Sequence, residues 1–281
     1  MRLILVGFIA IFLFSCGKSQ NVELPKITDN GNIECSIPIR YGGVLRIESD
    51  SYANDSIPIR RIQFDTGAYG VATSYAMKDS LNIKDSLKVT IAGKSRVLPV
   101  TEYFNNNQLT TKNNYGLLVG WDFFRDDIIE ISHKQQCLNV LRDDSGLDGY
   151  EVFDYTIMSN KLAIPVSIFV QGREMEVWLL VDTGYDLSVF MSGNSIEGLN
   201  EDHYEEVLMN GLHQDNVKAK SFTSDSIKVG IFALENREVV LVDWGWESKG
   251  SLVGVIGNEF LKNYSVILDF RKQKLYLKED K

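Results

Sequence analysis

From about residue 33 onward, short runs of β-branched and aromatic residues alternate with clusters of Gly, Asn and Asp. Such runs, bounded by turn formers, predict strands and an all-β fold. Helical patterning is scarce. It is confined to a turn or two at Ser74-Tyr75-Ala76-Met77, to the stretch from Asn200 to Leu208, and to the segments after Gly120 and Gly257. One strand is unusual. Trp178-Leu179-Leu180-Val181 is continuously apolar, as a buried strand is, yet it runs straight into Asp182-Thr183-Gly184. Burying an unpaired carboxylate costs several kcal/mol, a large part of a fold's net stability. Ile62-Gln63-Phe64-Asp65-Thr66-Gly67 ends the same way 117 residues earlier. The two carboxylates are expected to meet.

The repeat extends beyond this triplet. Ile37-Pro38-Ile39 and Ile164-Pro165-Val166 each open a half, and Asp85-Ser86-Leu87-Lys88-Val89 matches Asp225-Ser226-Ile227-Lys228-Val229. Gly116-Leu117-Leu118-Val119-Gly120 matches Gly254-Val255-Ile256-Gly257, and Asp127 to Ile131 matches Tyr264 to Phe270. Five blocks in one order imply two related lobes. The boundaries expected are a first lobe over 33–142, a linker over 143–158 and a second lobe over 159–281. The halves are unequal: 20 residues separate Asp65 from Asp85, but 43 separate Asp182 from Asp225. The added stretch contains Leu208-Met209-Asn210-Gly211-Leu212, an Asn-Gly turn signal between apolar residues. A hairpin there would project over the junction between the lobes.

Composition narrows the partners. With 281 residues, 44% of them hydrophobic, the chain can bury a large core. A formal charge of −9 argues against nucleic acid, which requires clustered Lys and Arg. Residues 1–15 have the pattern of a signal peptide: Arg2, then an apolar run from Leu3 to Phe14 too short to span a bilayer comfortably. Leu13-Phe14-Ser15-Cys16 resembles a bacterial lipobox, with a bulkier Phe14 than that pattern prefers. The resemblance implies lipidation at Cys16, with residues 16–32 as a polar tether. Cys35 and Cys137 remain; an oxidising compartment would permit a bridge, but spacing does not give the Cα separation one requires. Two small buried thiols fit as well, so the bridge stays open, with a lean towards no bridge.

A strand ending in Asp-Thr-Gly, followed downstream by an apolar pair and a glycine, resembles the aspartic peptidases. With lobes this short it is most similar to the retropepsin-like and pepsin-like proteins, here as a tandem in one chain. The resemblance implies two retropepsin-like β-barrel lobes with a cleft between them. It implies that Asp65 and Asp182 are catalytic, hydrolysing peptide bonds through a water activated between them. Thr66 and Thr183 would hydrogen-bond across the junction, Gly67 and Gly184 would admit the carboxylates at close range, and Gly120 and Gly257 would pack behind the loops. Met209, Asn210 and Gly211 would form a substrate flap. The same architecture without catalysis would leave a groove that binds peptide or glycan.

Two positions depart from the pepsin-type pattern. Ala68 and Tyr185 follow the glycines where a Ser or Thr is usual. A hydroxyl there would favour the ionised carboxylate, so its absence predicts a pair that titrates higher. No metal or cofactor is expected: His133, His203 and His213 lack ligand spacing, and no phosphate loop or nucleophile elbow occurs. Trp244-Gly245-Trp246 is the tryptophan cluster best suited to line a groove. The expected partners are a peptide or protein substrate and, through Cys16, the membrane. The expected form is a monomer in the bacterial envelope, facing the periplasm.

Overall fold

The structure is a computed structural model that describes residues 2–7, 35–104, 115–144, 146–192, 204–210, 217–242 and 252–279. It is nearly all β. The strands before the midpoint are β1 (Arg2–Gly7), β2 (Ile37–Tyr41), β3 (Leu45–Ile47), β4 (Ser51–Ala53), β5 (Ile57–Asp65), β6 (Val71–Ser74), β7 (Ser86–Ile91), β8 (Lys94–Phe104), β9 (Tyr115–Gly120), β10 (Ile128–Ser132) and β11 (Cys137–Leu141). Those after it are β12 (Glu151–Asp154), β13 (Thr156–Met158), β14 (Lys161–Val170), β15 (Arg173–Val181), β16 (Val189–Ser192), β17 (Glu205–Asn210), β18 (Val217–Val229), β19 (Phe232–Val242), β20 (Leu252–Ile256), β21 (Tyr264–Asp269) and β22 (Lys274–Glu279).

Both halves close into a six-stranded ring. In the first, β5, β4, β7, β8, β6 and β9 pair in turn, and β9 returns to β5. In the second, β15, β14, β18, β19, β16 and β20 do the same, closed by β18 on β14. The sense of every pairing is preserved. The β5–β9 and β15–β20 pairs are parallel, as are β6–β8 and β16–β19. The other four pairings of each ring are antiparallel. Closure removes open edges and leaves β5 and β15 covered on both faces where they approach their Asp residues. That explains why alternation gives way to continuous burial at the end of β5.

The rings are joined by a sheet of their own. β10 pairs antiparallel with β21 (Ile129 opposite Leu268), and β11 and β22 flank them. The core runs through this seam, from Phe64, Phe123 and Phe124 in the first half to Phe260, Leu268 and Leu275 in the second. Each such side chain, fully buried, contributes roughly 1.5–3 kcal/mol.

The helices bear out the pattern at three of four places. α1 (Tyr75–Leu81) is capped by the Ser74 hydroxyl, which accepts the Met77 N–H at 3.2 Å. A 3₁₀ turn (Trp121–Phe124) follows Gly120, and α2 (Asn258–Leu261) follows Gly257. The fourth expectation is corrected: residues 205–208 belong to β17, because pairing with β18 (Val207 opposite Ala219) overrides local pattern. Residues 200–203 lie outside the described residues. Within the span 143–158, β12 pairs with β22 and β13 with β14.

The structure decides what the cysteines left open. Cys35 and Cys137 form a disulfide, their Cα atoms 5.7 Å apart. The antiparallel pairing of β11 with β2, Cys137 opposite Pro38, brings these distant residues together. At the other end, the backbone of β1 runs parallel to β17. No helix among the described residues is long and apolar enough to cross a membrane.

Candidate active site

β5 and β15 carry Asp65 and Asp182 to the junction of the rings. Beyond each Asp the chain turns sharply, with Ala68 N–H donating to Asp65 C=O (3.2 Å) and Tyr185 N–H to Asp182 C=O (3.4 Å). Each carboxylate also accepts the N–H of the glycine in its own loop: Gly67 to Asp65 Oδ1 at 2.8 Å, Gly184 to Asp182 Oδ1 at 2.7 Å. The repeated triplet thus builds the same turn twice.

The threonines tie the turns together. Thr66 N–H donates to Thr183 Oγ1 (3.1 Å) and Thr183 N–H to Thr66 Oγ1 (3.0 Å). Each hydroxyl in turn donates to a carbonyl of the opposite strand, Thr66 to Val181 at 2.7 Å and Thr183 to Phe64 at 2.9 Å. Both side chains are buried. Four satisfied hydrogen bonds in a dry setting hold the loops in one register.

This brings the carboxyls face to face. Asp65 is 9% exposed and Asp182 6%, and each carboxyl lies against the glycine of the opposite loop. A Cβ on Gly67 would fall 2.5 Å from Cγ of Asp182, and one on Gly184 2.6 Å from Cγ of Asp65. Both positions therefore need the space only glycine leaves. Burial, then the charge and hydrogen bond of Asp182, push the Asp65 carboxyl well above the usual carboxylate range. Lys161 and the Gly67 N–H oppose that rise without cancelling it. A pair in this state holds one proton between two carboxyls at pH values where free aspartates are ionised.

Supporting glycines lie behind the loops. A Cβ on Gly120 would meet Ala68 C=O at 2.6 Å, and one on Gly257 would meet Leu187 C=O at 2.5 Å. The residues after the triplets differ in kind. The Tyr185 ring is fully buried against Phe190, its phenol pushed far up by burial, whereas Ala68 presents only a methyl group.

Several residues of the site were not singled out from sequence. Lys161 Nζ donates to Gly67 C=O at 2.6 Å. Asn258 Nδ2 donates to Thr183 C=O (2.7 Å) and Gly43 C=O (3.0 Å), binding the second loop to the β2–β3 turn. Asp122, wholly buried, accepts Gly70 N–H at 2.7 Å, and burial raises its pKa. Asn258 and Asp122 sit in the blocks after Gly257 and Gly120, so the repeat marked their neighbourhood. Nothing in the pattern marked Lys161.

The hairpin expected near the junction has its stem in β17 and β18. Met209 is fully buried among Leu180, Tyr185 and Phe190, so its side chain packs the second lobe and does not line a groove. Asn210 ends β17. Gly211, Cys16, Trp244, Trp246, His203 and His213 lie outside the described residues. His133 packs edge-on against Tyr41. No group of three or more metal-ligating side chains occurs among the described residues.

Among solved structures, the chain is similar to a retropepsin-like aspartic protease from Rickettsia conorii, with 16% identity and a TM-score of 0.35 over 46% of this chain and 89% of that one. No protein-family model matches the sequence, and no curated protein does.

Proposed function

We propose that this chain is an aspartic endopeptidase that hydrolyses peptide bonds between its two lobes. The observation that carries the reading is the buried pair Asp65 and Asp182, each carboxyl set against the glycine of the opposite loop, with the Asp65 carboxyl raised. A like-charged buried pair is a poor choice for stability alone. As chemistry it is apt. The ionised member takes a proton from a water held between the carboxyls, and that water attacks the scissile carbonyl. The protonated member donates to the carbonyl oxygen, and the proton then returns through the pair to the leaving amine. No covalent intermediate and no metal enter the scheme. Neither Asp is assigned as permanent acid or base, because the titration belongs to the pair.

The threonine cross-bonds support this reading by fixing the separation of the carboxyls, which general acid–base catalysis demands. The elevated Asp65 carboxyl agrees with activity at mildly acidic to near-neutral pH. A pH–rate profile peaking only below about pH 3, where an ordinary Asp is mostly protonated, would contradict it. Two homologous rings in one chain supply both carboxylates, so a monomer suffices.

We place the protein in a bacterial envelope, anchored through lipid on Cys16 after removal of residues 1–15, β1 included, and facing the periplasm. The Cys35–Cys137 disulfide suits such an oxidising compartment. Globomycin-sensitive processing together with loss of membrane fractionation in Cys16→Ser tests the anchor; unchanged fractionation rejects it. The activity is tested by digesting a peptide library with the purified protein, with and without a statine-type transition-state analogue. Inhibitor-sensitive cleavage within peptides is expected. An absence of cleavage with retained peptide binding would make the groove a binding site.

A further inference from the structure

The two Asp-Thr-Gly loops are built alike but are held from behind by different groups. The second is held by an uncharged amide, Asn258, through Thr183 C=O. The first is held by a cation, Lys161, through Gly67 C=O. Lys161 opens β14 in the second lobe, so it crosses the junction to reach a loop of the first. Its approach is fixed at both ends. The preceding turn residues, Ser159 (φ 50°) and Asn160 (φ 62°), both adopt the left-handed region, which folds β13 tightly back on β14. Trp121 of the first lobe then donates its indole N–H to Asn160 C=O at 2.8 Å. Lys161 is itself partly buried.

We propose that Lys161 is a positioning residue that holds the Gly67 carbonyl from the opposite lobe and keeps a fixed positive charge beside the Asp65–Asp182 pair. Holding alone does not call for a lysine, since an amide does that work at the second loop. A lysine adds charge on one side of the pair only. That charge favours the singly ionised state of the pair over the fully protonated one, which the scheme above needs in order to activate water. Among the described residues, two charged side chains act on Asp65. Asp182 comes from the second loop and Lys161 from β14. Tyr185, in the second loop, is a neutral phenol that lies near Asp182, Asp186 and Glu238. Lys161 is the cation among these that acts on Asp65 and counters the repulsion of the pair.

The effect on turnover rests on the peptidase reading; the effect on the carboxyls does not, and the test separates the two. The protonation of the pair is followed by the infrared carbonyl band of the protonated carboxyl, assigned by its loss in Asp65→Asn, across pH. Wild type, Lys161→Gln, Lys161→Met and Lys161→Arg are compared, with the pH profile of kcat/KM measured alongside. Removing a cation raises the pKa of a carboxyl, so Lys161→Gln and Lys161→Met should shift the infrared midpoint and both limbs of the profile to higher pH. Lys161→Arg should restore them. If Lys161→Met fails to fold, Lys161→Gln keeps a donor of shorter reach and carries the comparison. An infrared midpoint that Lys161→Gln leaves in place would overturn the inference, whatever happens to melting temperature. A midpoint that moves in a protein that cleaves nothing would leave Lys161 in its role and reject the peptidase reading.

Discussion

Replacing Asp65 with Asn removes one charge at nearly constant shape, so it separates chemistry from architecture. Loss of a general acid–base group should lower turnover on the order of 10²–10⁴-fold. Stability should move the other way. The raised Asp65 carboxyl binds its proton more tightly in the folded state than in the unfolded one. Its contribution is therefore full below the ordinary aspartate value of 3.8 and is lost as pH rises through the elevated folded value. Wild type should lose stability over that interval, and Asp65→Asn should flatten the dependence, as urea melts at a series of pH values would show. Parallel curves would contradict the shared proton. Thr183→Val, by contrast, removes a hydroxyl that donates to Phe64 C=O and accepts from Thr66 N–H. Leaving those buried partners unpaired costs about 1–3 kcal/mol per group, and an unchanged urea midpoint would show that the cross-bonds do not bind the loops. At this scale the sequence was informative where a residue broke its local rule. An Asp at the end of an apolar strand needs a partner, and its repeat supplied one. Lys161 and Asn258 break no rule locally. Their partners, Gly67 and Thr183, lie 94 and 75 positions away in sequence and meet them only in the folded chain.

At the scale of elements, strand pattern and repeat foretold most of the architecture, including both glycine-led helical turns. The exception is β17. Its residues suit a helix or a strand equally over a short window, and ladder pairing to β18 decides the matter. Met209 shows the consequence. As a flap residue it would be dispensable for folding, but on β17, beside the ring, it packs in one buried cluster with Leu180, Tyr185 and Phe190. Met209→Ala should therefore destabilise the protein by roughly 2–5 kcal/mol. A melting curve identical to wild type would return Met209 to the surface of the hairpin. The Cys35–Cys137 bridge escaped the pattern for a similar reason: it depends on β2 and β11 becoming neighbours, which residue spacing does not encode.

For the molecule as a whole, the duplicated rings and the β10–β21 seam make a single body from two halves. The site requires that body, because each loop is hydrogen-bonded to residues of the other half. The disulfide closes a long segment of the first lobe, its partners 102 positions apart in sequence. Converting both cysteines to serine should cost about 2–4 kcal/mol, measured by urea unfolding, with the first lobe loosening. No change in midpoint would show that the bridge adds little to the sheet pairing around it. The central claim is that two carboxyls, one from each half, act as a unit. The most direct test is the rate of peptide cleavage by Asp65→Asn and Asp182→Asn, each shown by circular dichroism to be folded as wild type is. Both variants should fall by a similar large factor, on the order of 10²–10⁴, despite occupying different lobes. Full activity in either one would show that the pair does not share the work.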